Sequence, residues 1–375
     1  MPAASQHDLD ARFMAAAIRL GGRELGRTWP NPAVGALIVR DDGGGPVVVG
    51  RGWTKPGGRP HAEVVALREA GDRARGATCY VSLEPCSHHG KTPPCVDALT
   101  AAGIARVVSA IEDPDMRVAG RGHARLRDAG IAVETGLCAD EAAYANAGHI
   151  MRVRRGRPWV TLKLAVSRDG MIAGPGGRTV AITGEEARGV VHLMRARNDA
   201  ILVGIGTVLA DDPQLTCRLP GMADFSPVRM VLDTGNRMPA TARMLGDGIA
   251  PVWQVVSDQR TDRSGEKRSA DNRILAAPVA DDGRLDMEAV LKRLAGEGIT
   301  RVMVEGGAQV AESLAAAGLI DEAVILTGDI EIGANGIPAG SALAAIRSGG
   351  AYRRVDDAAL GVDTMTRYLR DPKRA

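Results

Sequence analysis

Along residues 9–20 the apolar positions Phe13, Ala16, Ala17 and Leu20 recur at the spacing of one helical face, and Gly21-Gly22 follows as a stop. The pattern then turns extended. Residues 33–39 and 46–50 flank the turn Asp41-Asp42-Gly43-Gly44-Gly45 and predict a hairpin. Helical and extended stretches next alternate over 62–70, 77–83, 96–102, 105–110, 123–129 and 131–134, the rhythm of a sheet covered by helices. Residues 151–158, rich in arginine with a glycine and a proline, interrupt that rhythm and predict a solvated linker between domains. Beyond it the alternation resumes over 159–166, 185–197, 200–203, 228–233, 252–256, 287–294, 301–305, 310–317 and 322–327. The polar run 257–273 predicts a surface loop, and no internal repeat is visible.

A chain of 375 residues exceeds one typical domain, which agrees with two cores flanking the linker. Apolar residues make up 45% but aromatics only 3%, so Ala, Val, Leu, Ile and Met must fill those cores. With 47 basic against 45 acidic residues, the net charge of +2 supplies no broad field for nucleic acid or anionic lipid. Small molecules are the expected partners. The longest uncharged aliphatic stretch, 200–210, falls well short of the ~20 residues a membrane-spanning helix needs. The first residues lack the pattern of a secretory signal, so a cytoplasmic protein is expected. Five cysteines scattered through a large chain do not form a disulfide framework; in a reducing compartment, clustered ones more often bind metal or react.

Two of those cysteines sit in a chemical context. His61-Ala62-Glu63 opens a predicted helix, and Pro85-Cys86 and Pro94-Cys95 follow a predicted strand, the His-x-Glu then Pro-Cys layout of zinc nucleobase deaminases. Zinc accepts neutral imidazole and thiolate in tetrahedral geometry, and three protein ligands leave one position for water, the catalytic arrangement. Glu63, two residues from the histidine, is the expected carrier of protons from that water to the ring nitrogen and the departing ammonia. Any one of these residues alone would read as ordinary core or surface. Cys79, Cys138 and Cys217 are expected to be just that.

Eight residues separate Cys86 from Cys95, against the two of cytidine and tRNA adenosine deaminases. The string GATCYVSLEPCSHHGKTPPC, with PNPAVGALIV before it and VAGRG after it, closely resembles the bacterial bifunctional riboflavin-biosynthesis deaminase/reductases. TLKLAVSRDGMIA, DAILVGIGTVLADDPQLTCR and VEGGAQVAESL resemble the reductase half of the same family. The resemblance implies an α/β protein: an N-terminal cytidine-deaminase-like three-layer domain at 1–150 and a C-terminal dihydrofolate-reductase-like α/β domain at 158–375. It implies deamination of 2,5-diamino-6-ribosylamino-4(3H)-pyrimidinone 5′-phosphate, then NADPH-dependent reduction of the ribosyl group to ribityl. It puts deaminase substrate contacts on Asn31 and Lys91, whose amide and ammonium suit a pyrimidine edge and a phosphate.

In the second half the resemblance assigns Ala165, Thr207, Asp211, Thr234 and Gly307 to the cofactor. It assigns Thr179, Arg195, Leu215, Arg218 and Glu305 to the substrate, the two arginines suiting the sugar phosphate. No Gly-x-Gly-x-x-Gly follows a strand, so a Rossmann site is not expected; Gly306-Gly307 instead opens a helix whose backbone N–H groups can receive a pyrophosphate. Two positions depart from the family pattern: Thr54, where a histidine commonly stands, and Ala181, where a tryptophan commonly stands. One alternative is a deaminase for another pyrimidine or RNA, which the near-neutral charge and the long cysteine spacing disfavour. Another is a zinc-stabilised binding module, which would have no need of Glu63. Oligomeric state, a homo-oligomer included, is left open.

Overall fold

The computed structural model describes residues 5–259 and 271–371. The chain divides into two compact units, Met1–Gly156 and Arg157–Ala375.

In the first unit, α1 (Gln6–Gly21) starts at a reciprocal cap: the Ser5 hydroxyl accepts from Asp8 N, and the Asp8 carboxylate accepts from Ser5 N. The hairpin β1 (Gly35–Asp41) and β2 (Pro46–Trp53) follows, then α2 (Ala62–Ala70), β3 (Thr78–Val81), α3 (Cys95–Ala101), β4 (Arg106–Ser109), α4 (Arg121–Asp128), β5 (Ala132–Thr135), α5 (Ala139–Ala145) and α6 (Ala147–Arg155). The five strands lie in the order β2-β1-β3-β4-β5, with β3, β4 and β5 parallel and the hairpin antiparallel. Strand alternation divides the core between two faces. Ala36, Ile38, Cys79 and Val107 meet α2, α3 and α4, while Leu37, Val39, Tyr80 and Val108 meet α1 and α5. The result is three layers. Gly50 and Gly52 let α2 lie directly on β2, since a Cβ there would strike the Ala66 and Ala62 carbonyls. That close packing fixes the start of α2, where His61 and Glu63 are.

Residues 151–158 correct the expected linker. They remain helical through Arg155, and Gly156 closes α6 in the left-handed region at φ 66°. Arginine is a good helix former, and Arg152, Arg154 and Arg155 sit in the last turn, where the helix dipole favours positive charge.

The second unit comprises β6 (Trp159–Val166), β7 (Met171–Ala173), α7 (Glu185–Ala196), β8 (Ala200–Gly204), α8 (Ile205–Asp211), β9 (Val228–Leu232), α9 (Arg243–Gly246), β10 (Val252–Ser257) and β11 (Asn272–Ala277). There follow α10 (Met287–Gly296), β12 (Arg301–Glu305), α11 (Ala308–Ala316), β13 (Glu322–Thr327), β14 (Ile337–Pro338), α12 (Gly340–Arg347), β15 (Tyr352–Leu360) and β16 (Asp363–Arg370). Nine strands form one sheet, β11-β10-β9-β8-β12-β6-β13-β16-β15, parallel from β11 to β13 and antiparallel over β16 and β15; β7 and β14 pair separately. Of the predicted surface loop, the ends belong to β10 and β11, and residues 260–270 lie outside the described residues. Because β12 inserts between β8 and β6, the chain order switches there, and the carboxyl ends of these parallel strands open a crevice of the kind that receives ligands.

Candidate functional sites

In the first unit, His61 is the N-cap of α2, Glu63 lies in its first turn, and Cys95 begins α3 behind the N-cap Pro94. His61 Nδ1 is 3.3 Å from Cys95 Sγ and 3.6 Å from Cys86 Sγ. Zinc bonded to one imidazole and two sulfurs in a tetrahedron needs N···S separations of about 3.5 Å, so this donor set fits the metal without rearrangement. The Cys95 thiol beside it holds the Cys86 thiol down at about 4, with burial opposing and the His61 ring and the Cys95 N–H assisting. Contact with Cys86, together with burial, pushes Cys95 up. The contact with Cys86 raises the His61 pKa. Burial raises that of Glu63, which is 4% exposed.

The cavity above these residues is walled by Asn31, Thr54, Arg59, His88, Asp113 and His149, among others. Asn31 donates to the Gly58 carbonyl at 2.9 Å. Lys91 is exposed on the loop between the cysteines and does not line the cavity. Thr54 faces the cavity, but its hydroxyl is engaged with the backbone N–H and carbonyl of Val34. Arg59, Asp113 and His149 were not singled out from sequence, because three separate elements carry them to one wall.

Glu84, Glu112 and His123 also group as a candidate metal cluster. Glu84, however, already accepts four backbone N–H groups, from Asp113, Gly120, Gly122 and His123, which saturates its lone pairs and caps α4. Its place is structural. Glu84→Ala strands those buried donors and is expected to cost about 3 kcal/mol or more. A fall in chemical-denaturation midpoint at constant slope checks this, and an unchanged midpoint would refute it.

In the second unit the expected residues gather at the strand ends. Ala165 is near the end of β6, Thr207 and Asp211 lie on α8 after β8, Thr234 follows β9, and Glu305 ends β12. Gly306 and Gly307 turn from β12 into α11 at φ 87° and 77°, a conformation that favours glycine. The Thr207 hydroxyl lies 3.8 Å from where a Cβ on either glycine would stand, so this hydroxyl and the bare glycine backbone are neighbours at the end of β12. Arg195 from α7 grips Glu305 through two bonds of 2.6 and 2.8 Å and donates to the Thr216 carbonyl at 3.0 Å. Burial opposes ionisation of Glu305, yet Arg195 holds its pKa below the usual range. Thr179 donates to Asp211. Leu215 is buried at φ 56°, and the backbone N–H of Arg218 reaches His192 Nδ1 at 3.3 Å. Ala181 is exposed. Lys163, from the middle of β6, had no place in the sequence expectations. Burial lowers its pKa against the opposing charge of Glu305.

Residues 7–111 match the cytidine and deoxycytidylate deaminase zinc-binding region, and residues 158–345 match the RibD C-terminal domain. The riboflavin biosynthesis protein RibD of Escherichia coli (strain K12) is 41% identical over 333 residues, covering 84% of this chain and 86% of the relative. That of Bacillus amyloliquefaciens is 43% identical over 314 residues, covering 84% and 83%. Among solved structures, Acinetobacter baumannii RibD superposes with a TM-score of 0.84 at 35% identity, over 98% of this chain and 100% of that one. A Thermotoga maritima diaminohydroxyphosphoribosylaminopyrimidine deaminase/5-amino-6-(5-phosphoribosylamino)uracil reductase gives 0.83 at 32% identity, with the same coverage. At this identity over this share of its length, the chain belongs to the RibD family of bifunctional riboflavin-biosynthesis deaminase/reductases.

Proposed function

We infer that the first unit deaminates 2,5-diamino-6-ribosylamino-4(3H)-pyrimidinone 5′-phosphate by hydrolysis and that the second reduces the ribosyl group with NADPH. The product is 5-amino-6-(5-phosphoribitylamino)uracil. The observation that carries the reading is the convergence of one imidazole and two sulfurs beside the buried carboxyl of Glu63. His61, Cys86 and Cys95 hold zinc, which makes water acidic enough to react near neutral pH. Glu63 takes a proton from the attacking water, passes it to the adjacent ring nitrogen, and delivers the second to the departing ammonia, so the carbon exchanges its amine for oxygen. Asn31 meets the pyrimidine edge, and Lys91, exposed beside the cavity, attracts the phosphate.

In the second unit Ala165, Thr207, Asp211, Thr234 and Gly307 would hold the dinucleotide, and the chemistry it would supply there is a hydride for the ribosyl carbon in exchange for that carbon's bond to the ring oxygen. Thr179, Arg195, Leu215, Arg218 and Glu305 receive the substrate, Arg218 carrying the charge for its phosphate. The released ring oxygen requires a proton, and Lys163 beside Glu305 is the group to give it. The five cysteines are free, as in a protein of the reducing cytoplasm, and no described helix is long and apolar enough to cross a membrane.

Offered the diamino substrate without nicotinamide, the zinc-loaded protein should release ammonia and shift the substrate mass by amine to oxygen. Added NADPH should then be consumed in equal amount to the ammonia. NADPH consumption without prior ammonia release, or no reaction at all, would sink this assignment.

A further inference from the structure

Apart from Glu63 and the metal-binding residues, the charged groups that line the zinc cavity are matched with one exception among the described residues. Asp113 accepts from His149 Nε2 at 2.9 Å, Asp115 pairs with Arg117 at 2.5 Å, and Glu84 is saturated by backbone. Arg59 lines the same cavity, yet its Nε is buried without a hydrogen-bond partner, and it makes no ion pair among the described residues. A guanidinium nitrogen that is buried without a partner is costly, and for a half-buried arginine facing a cavity the natural complement is an anionic ligand. His88 stands beside it. This ring also lines the cavity, and its Nδ1 is buried without a partner. Both side chains approach one point: a Cβ built on Gly90 would lie 3.6 Å from Arg59 Nη2 and 3.9 Å from His88 Nε2.

Gly90 and His88 belong to the eight residues between Cys86 and Cys95, a length that zinc ligation alone does not require. The long spacing therefore has a use. It folds His88 and Gly90 against Arg59, which arrives from the segment before α2. We propose that Arg59 is the phosphate-binding residue of the deaminase cavity, its guanidinium and the His88 imidazole cradling the sugar phosphate beneath the loop between the two cysteines. The inference rests on the deaminase reading above and assigns the inner phosphate contact to Arg59, with the exposed Lys91 outside it. A planar guanidinium binds phosphate through paired hydrogen bonds, and such charge-assisted bonds are among the strongest available.

The test uses the full-length zinc protein and two substrates, the phosphorylated diaminopyrimidine and its dephosphorylated form. Arg59→Ala should raise KM for the phosphorylated substrate about 10- to 100-fold, with kcat nearly unchanged. For the dephosphorylated form kcat/KM should stay level, since that ligand never used the contact. Ribose 5-phosphate, as a competitive inhibitor, should weaken by a similar factor, and Arg59→Lys should recover part of the loss. Because Arg59 is near His61, zinc content is measured in each variant, and Arg59→Gln provides a second substitution of closer shape. Equal effects on both substrates, or no effect on either, overturn the proposal while leaving the deaminase assignment standing. Failure of the unaltered protein to deaminate either substrate overturns both.

Discussion

Glu63→Gln should abolish ammonia release while the protein keeps its zinc. The amide matches the carboxyl in shape but cannot cycle a proton, so deamination should fall by about three orders of magnitude. The donor set of His61, Cys86 and Cys95 is left intact, and metal analysis should find zinc as in the unaltered protein. Reduction of the already deaminated substrate should continue at a near-normal rate, since the second unit has its own core and its own strand-end crevice. Cys95→Ala provides the contrast, losing metal and deamination together. Retained turnover in Glu63→Gln would remove this residue from the mechanism.

Lys163→Met should produce the reverse phenotype. Methionine fills a similar volume on β6 but has no proton to give, and reduction is expected to drop about 100- to 1,000-fold while deamination persists and its product accumulates. The pH dependence identifies the group. Burial lowers the Lys163 pKa from its ordinary value, and the step needs the protonated form. The rate of reduction should therefore fall as pH rises through that lowered value, and Lys163→Met should lack this limb of the profile. Full reductase activity in the methionine variant would show that another group protonates the oxygen.

Legibility in the sequence followed burial. Trp159–Val166, Arg301–Glu305 and Glu322–Thr327 are strands with the boundaries their apolar runs predict, because each is covered on both faces of the sheet. The pair β15 and β16 escaped notice for the opposite reason. Arg353, Arg354, Asp356 and Asp357 face water at the sheet edge, so hydrophobic alternation is weak there, and pairing with β13 makes β16 a strand. The metal motif was readable because His61 and Glu63 are two residues apart and proline precedes each cysteine. The rest of the cavity was not. Arg59, Asp113 and His149 are scattered over ninety residues of chain, and folding alone brings them to one wall. Lys163 stood within a recognisable motif, but its lowered pKa comes from burial, against the charge of Glu305 on a neighbouring strand, and neither is visible in the sequence.

The helical nature of residues 147–155 changes how the protein can be dissected. His149, in the first turn of α6, lines the deaminase cavity and bonds Asp113, while the other end of the same helix reaches the unit boundary at Gly156. Cutting the chain after residue 150 would leave His149 one residue from a fraying end and strip the deaminase wall of its support. An excised deaminase should instead run through Gly156, so that the glycine still closes the helix and the three arginines of the last turn keep their favourable position at its carboxyl end.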